Sequence, residues 1–227
     1  MHTAKRKEVE ISKDSFSYIH LEGKRKDKNI FFFHATGFNA ETYIPFFLKL
    51  SELLDNQYSI YALDQRGHGL TKASADPSEL NSWKTYFLDG KNFLSQFFSS
   101  ENIVMGHSMG GVVAAKVAKD FEEKISKSIL IDPVLQPESL KFQIPFFNIS
   151  NKSFISLLSL FKKNRASEMI SNAKKRRSIF SDKDEIFNHY RGRGAFKNWP
   201  EESLKAYING GVISKNSQIN LSCNPEW

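Results

Sequence analysis

Ser108 carries the strongest chemical signal in the chain. It lies in Gly106-His107-Ser108-Met109-Gly110-Gly111, between the short apolar run Ile103-Val104-Met105 and a stretch of small residues from Val112 onward. A serine flanked by glycines two positions before and after it, where a strand passes into a helix, fits a sharp turn that lifts a hydroxyl above a sheet. The glycines remove side chains that would collide with the strand and the helix. A side chain at position 110 is expected to press on the strand carrying Met105 or to force the turn open. The turn also puts the serine at a helix N-terminus, where free N–H groups and the dipole favour developing negative charge. The chemistry this suits is nucleophilic attack on a carbonyl. The plainer alternative is a glycine-rich turn with a purely structural role.

A carbonyl under attack needs two backbone N–H groups aimed at its oxygen. Met109, next after the serine, is one expected donor, and a loop after an earlier strand supplies the other. His34-Ala35-Thr36-Gly37-Phe38 follows the apolar run at 30–33, and Thr36 is the expected second donor. His34 is expected to orient this loop, not to move protons. Asp64-Gln65-Arg66-Gly67-His68-Gly69 is polar enough to look catalytic. Its expected role is a hydrogen-bonded turn that returns the chain from the sheet.

The serine also needs a base, and the base needs an orienting carboxylate. The six histidines can be placed one by one. His2 is in the N-terminal tail and His20 in a hairpin. His34 and His68 are in the two loops above. His107 is in the serine turn and should point away from the hydroxyl. His189 alone follows Ser108, in what reads as a helix end, and is a poor candidate. Asp132 follows a strand tip and could act as the acid in a variant arrangement, but Pro133 beside it favours a structural turn.

The elements that must position these groups are legible. Residues 8–11 and 16–21 alternate with period two around Lys13-Asp14 and read as an antiparallel hairpin. Four short continuous apolar runs, at 30–33, 58–63, 103–105 and 129–131, suit strands buried on both faces. Helical stretches at 43–54, 83–98 and 112–118 separate them, so a parallel sheet with crossover helices is expected. From about 137 to 211 no buried strand is expected. Phe154, Leu157, Leu158 and Phe161 fall on one helical face. Further helices are expected near 166–179, 182–190 and 201–209. The fold class is thus α/β, with core 1–136, a helical insertion 137–211, and 212–227 beginning a return to the core.

Strand-HATGF, strand-DQRGHGL, strand-GHSMGG and strand-IDP, in this order and spacing, resemble the α/β-hydrolase superfamily. The match is dense over about 30–133 and looser to 211. The family's turn usually begins His-Gly, and this chain has His34-Ala35. The resemblance implies Ser108 as nucleophile, Thr36 and Met109 as oxyanion donors, and a cap at about 137–211 that shapes the pocket. It also implies an acid and a histidine after the cap. Residues 212–213 and 219–221 are too short and mixed for the two strands that would carry them, so the chain is expected to be a fragment. Its sheet should have about six strands instead of eight, with 129–131 at the edge.

Composition narrows the function classes. At 227 residues and 40% hydrophobic, a folded domain with one sizeable core is expected. Cys223 is the single cysteine, so no internal disulfide can form. The polar start carries no ordinary secretory signal, and no apolar run approaches the ~20 residues of a membrane span. A cytoplasmic location is the default expectation. The net charge of +7 comes from dispersed lysines plus Lys174-Lys175-Arg176-Arg177, read as a solvated helix face. Neither a nucleic-acid partner nor a cofactor or metal is expected. The leading expectation is an esterase-, lipase- or amidase-like serine hydrolase for a small, apolar ester or acyl substrate. The alternative is a non-catalytic binding module of the same fold, and a basic nucleic-acid or membrane-surface binder ranks third.

Overall fold

Two alternating segments at the N-terminus form the antiparallel hairpin β1 (Ala4–Ile11) and β2 (Asp14–Leu21). The structure, a computed structural model, describes residues 3–78, 82–134, 171, 175–215 and 217–226. The hairpin continues through β2 into an antiparallel pairing with β4 (Ser59–Leu63). From there the sheet is parallel: β4 pairs with β3 (Lys28–Phe33), β3 with β5 (Glu101–His107), and β5 with β6 (Ile125–Ile131). The strand order is β1-β2-β4-β3-β5-β6, six strands as expected.

The apolar runs of β3, β4 and β5 are continuous because both faces are covered, whereas the run at 129–131 in β6 is exposed among the described residues. Period-two alternation sends Phe31 and Phe33 to one face, where they pack with Phe93 of α2 (Lys84–Ser95) and Val113, Ala114 and Val117 of α3 (Met109–Asp120). It sends Ile30 and Phe32 to the other face, against Phe47 of α1 (Ile44–Leu53). The crossover helices thus sandwich the sheet and bring the C-terminal ends of β3 and β5 side by side. Among the described residues β6 is an edge strand, with Ile129, Leu130 and Ile131 exposed.

A second cluster joins α4 (Lys183–Tyr190) and α5 (Glu201–Gly210) to a small sheet. That sheet runs β7 (Ile179–Phe180), β9 (Gln218–Leu221), β8 (Val212–Lys215), all antiparallel. Here one expectation needs correction. A strand does occur between 137 and 211: β7 buries Phe180 and leaves Ile179 exposed. Two residues are too few to display a period. Residues 212–215 and 218–221 are strands too, but of this small sheet. The expected helical face at Phe154, Leu157, Leu158 and Phe161 lies outside the described residues. Among the described residues no helix is long and apolar enough to cross a membrane.

Candidate functional site

Ser108 stands between β5 and α3 with φ +53° and ψ −115°. A side chain in that region costs about 1–3 kcal/mol and persists only where its surroundings over-determine it. They do so here through the backbone. Ser108 N–H donates to Ile131 O at 2.9 Å, and Ser108 O accepts from Gly111 N at 3.0 Å and Val134 N at 3.4 Å. The flanking glycines are required by space. A Cβ on Gly106 would stand 2.1 Å from Gly110 O, and a Cβ on Gly110 would stand 2.1 Å from Phe33 O and 2.6 Å from His34 O. The second conflict is with the end of β3, not with the strand carrying Met105 as the sequence reading expects. Gly110 is therefore where α3 docks onto the loop bearing Thr36.

That loop is a tight turn. Phe38 N–H donates to Ala35 O at 3.1 Å, and Gly37 takes φ +77°, as a type II turn demands at its third position. Thr36 and Gly37 are the central residues, whose N–H groups the turn's own bond leaves unused. The Thr36 hydroxyl lies 3.3 Å from Met109 Sδ, so the two expected donors are neighbours. Met109 is the first residue of α3, and a first-turn N–H has no intrahelical acceptor.

His34 holds the turn from beneath. Its Nδ1 donates to Ala35 O at 2.8 Å and its Nε2 accepts from Gln65 N–H at 2.9 Å, while Gln65 Nε2 donates to His34 O at 2.7 Å. The two backbone partners define the tautomer, since a carbonyl can only accept and an N–H only donate. Full burial pushes the His34 pKa down to about 4. Tyr43 holds the turn from the side. Its hydroxyl accepts from Ala35 N–H at 3.2 Å and donates to His107 Nδ1 at 2.8 Å. His107 is thus engaged with Tyr43. Burial lowers its pKa, and the charge of Asp132 works the other way.

The Asp64–Gly69 segment is structural. Buried Asp64 accepts from Ala40 N at 2.7 Å, Leu70 N at 3.0 Å and Arg6 Nη1 at 2.5 Å. Arg66 pairs bidentately with Asp89 at 2.8 and 2.9 Å and reaches Asp14 at 2.8 Å. His189 packs its ring on Phe180 and Tyr190, half-buried at the edge of the second cluster. Asp132, at φ +42°, ends β6 in an exposed turn. Among the described residues, neither a histidine nor a carboxylate hydrogen-bonds to the Ser108 hydroxyl.

The second cluster reaches the turn through residues that sequence reasoning missed. Asn39 caps the 3-10 turn Ala40–Tyr43 by accepting from Thr42 N at 3.0 Å, and its amide donates to Tyr207 O at 2.9 Å. Phe38 packs edge-on against Trp199 and Tyr207. Only the Asn39-x-x-Thr42 capping spacing was available in the sequence as a signal. Arg176 is the larger omission. The basic run reads as a solvated face, and Lys175 and Arg177 are exposed, but the Arg176 side chain turns inward and its Nε is fully buried.

Sheet order, crossover helices and the strained serine between β5 and α3 together define an α/β-hydrolase. More particularly, the chain belongs to the serine aminopeptidase S33 family, whose sequence profile it matches over residues 24–195. It is 28% identical over 185 residues to "Putative esterase/lipase 2" of Mycoplasma genitalium, covering 80% of this chain and 62% of that protein. It is 26% identical over 124 residues to 2-(acetamidomethylene)succinate hydrolase of Mesorhizobium japonicum, covering 54% of this chain and 42% of that one. The chain therefore spans less than two thirds of the length of these relatives. In three dimensions it is similar to the thioesterase domain from the curacin biosynthetic pathway. There the TM-score is 0.70 at 16% identity, over 98% of this chain and 73% of that chain.

Proposed function

We propose that Ser108 is the nucleophile of a serine hydrolase that cleaves an ester or related acyl bond of a small molecule through an acyl-enzyme. The observation that carries this reading is the Ser108 backbone, held at φ +53° and ψ −115° above the sheet. No packing need explains a strained serine there, because glycine would occupy the same turn without strain. In this reading Ser108 Oγ gives its proton to a general base as it bonds to the substrate carbonyl carbon, and the resulting oxyanion is held by the N–H groups of Thr36 and Met109. The carbonyl re-forms as the alcohol or amine departs with a proton from a general acid. Water then attacks the acyl-enzyme and returns Ser108.

The proton carrier in this proposal is a histidine, oriented by a carboxylate, both contributed by sequence following Trp227. Two observations support that placement. No described histidine bonds to the Ser108 hydroxyl, and the chain covers only part of its relatives. In this reading the described residues 175–211 form part of a cap beside the site, with α5 seated on the turn at Ala40–Tyr43. The test is labelling of the whole open reading frame's product with a fluorophosphonate. Covalent labelling that disappears in Ser108→Ala is the expected result. Labelling that survives Ser108→Ala, or none under conditions where a control hydrolase reacts, would refute the proposal.

A further inference from the structure

The other arginines that leave solvent are paired with carboxylates: Arg6 with Asp64 and Glu41, Arg66 with Asp89 and Asp14. Arg176 is not. Among the described residues no carboxylate pairs with it, and its buried Nε has no hydrogen-bond partner. Its electrostatic neighbours are the phenols of Tyr207 and Tyr190 and the thiol of Cys223, groups that carry no charge at neutral pH. Burial pushes the phenol of Tyr190 and the thiol of Cys223 upward, which keeps them neutral. A guanidinium taken from water without an anion is costly, and here only the Tyr207 phenol, through a side-chain hydrogen bond, and neighbouring neutral groups offset that cost.

Its position is specific. Arg176 Nη1 lies 3.9 Å from the point where a Cβ on Gly37 would stand, which is ordinary van der Waals contact. The cation therefore abuts the Ala35–Phe38 turn that bears the Thr36 N–H. Tyr207 of α5, fixed through its carbonyl to Asn39, the residue after that turn, holds α5 beside it. A planar fork of N–H donors beside a carbonyl-binding site matches a second, anionic group on the same substrate, and carboxylate geometry fits such a fork.

We propose that Arg176 binds a carboxylate carried by the substrate, so that the site takes short monoesters or monoamides of dicarboxylic acids. This deepens the Ser108 reading and rests on it for the position of the scissile bond. It replaces the apolar acyl group expected from the sequence with an acyl group ending in an anion.

The experiment measures binding, independently of turnover. Monomethyl succinate, dimethyl succinate and inorganic phosphate are titrated calorimetrically into the Ser108→Ala chain and into the same chain bearing Arg176→Met or Arg176→Lys. Monomethyl succinate is expected to bind at least about ten-fold tighter than the neutral diester, the range of a charged hydrogen bond. Arg176→Met should abolish that preference and Arg176→Lys should keep part of it. Equal binding of the two esters overturns the proposal, as does a preference that survives in Arg176→Met. Phosphate binding as tightly as monomethyl succinate overturns it too, by showing an unselective anion site. Far-UV circular dichroism checks that the variants are folded, and the Lys variant provides a second, conservative reading. An Arg176-dependent preference without fluorophosphonate labelling of Ser108 would sink the hydrolase reading alone. Labelling of Ser108 without the preference would sink this inference alone.

Discussion

The Tyr43 hydroxyl donates to His107 Nδ1 at 2.8 Å and at the same time accepts from Ala35 N–H at 3.2 Å. Tyr43, 64 positions before His107, thus ties the serine turn to the turn bearing Thr36. Tyr43→Phe keeps the ring packing on Phe32 and Phe47 but leaves both partners without their bond. In the whole hydrolase kcat and kcat/KM should fall together, by about ten-fold, because a shifted oxyanion donor weakens the transition state more than the ground state. Stability should drop by about 1–3 kcal/mol. A raised KM with unchanged kcat would show that Tyr43 does not position the donors.

The strain at Ser108 predicts an unusual pair of stabilities. Ser108→Ala keeps a Cβ in the same region of φ and ψ, so its stability should change by less than about 1 kcal/mol. Ser108→Gly relieves the strain and should gain about 1 kcal/mol or more, although glycine ordinarily loses stability through its unfolded-state freedom. Both should lose fluorophosphonate labelling. Urea unfolding of the three proteins is the check, and a glycine variant less stable than the alanine variant would contradict the strain argument.

Gly110 makes the opposite prediction. A Cβ there meets Phe33 O at 2.1 Å and His34 O at 2.6 Å, both backbone atoms that cannot swing aside. Gly110→Val should therefore give little soluble protein, since α3 would have to lift from the end of β3. Gly192→Ala is the control. Unlike Gly110 it has a positive φ, +71°, but nothing lies within 4 Å of its Cβ position. It should stay soluble and lose only about 1 kcal/mol. Soluble, labelled Gly110→Val protein would mean the α3–β3 contact is wrong.

What was legible in the sequence follows from locality. The parallel strands could be read because burial on both faces leaves no polar alternation, as at Ile30, Phe31, Phe32 and Phe33. The serine turn could be read because Gly106 and Gly110 are excluded volumes within five residues of each other. The roles of Arg176 and Tyr43 could not. Arg176 sits in a basic run of the kind that exposed helix faces carry, and its Nε is buried beside Tyr207, thirty-one positions on. β7 escaped notice because its two residues show no period and their partners lie some forty positions later in β9.

Buried His34 predicts how stability responds to acid. Its folded-state pKa is about 4, held down by burial, against about 6.5 in the unfolded chain. Between those values the unfolded state binds the extra proton, so stability falls as pH drops from 6.5 towards 4 and this contribution levels off below. A shift of this size corresponds to roughly 3 kcal/mol. His68, pushed down to about 3 chiefly by burial, adds in the same direction. His34→Gln removes one titrating group while retaining an amide that can both donate and accept. Urea unfolding of wild type and variant at pH 7, 5.5 and 4.5 should show the smaller acid loss in the variant. Parallel losses would rule out His34 as a source of the slope.

Arg66 and Asp89 predict a non-additive pair. Arg66 donates through Nε and Nη2 to the two oxygens of Asp89, and both side chains are almost out of solvent. Burial alone would push the Asp89 carboxyl upward, and Arg66 is the group that opposes this. Removing only the cation strands a buried carboxylate, so Arg66→Met should cost about 3–5 kcal/mol. Removing only the anion strands the guanidinium, although Asp14 at 2.8 Å and Ser74 O at 2.7 Å still hold it, so Asp89→Leu should cost less. The double variant replaces both charges with apolar volume beside Phe16, over whose ring the guanidinium lies. It should be more stable than Arg66→Met alone. A double-mutant cycle by chemical denaturation measures the coupling, expected at about 1–3 kcal/mol. Additive losses would show that Arg66 acts mainly through Asp14 and Ser74 and not through Asp89.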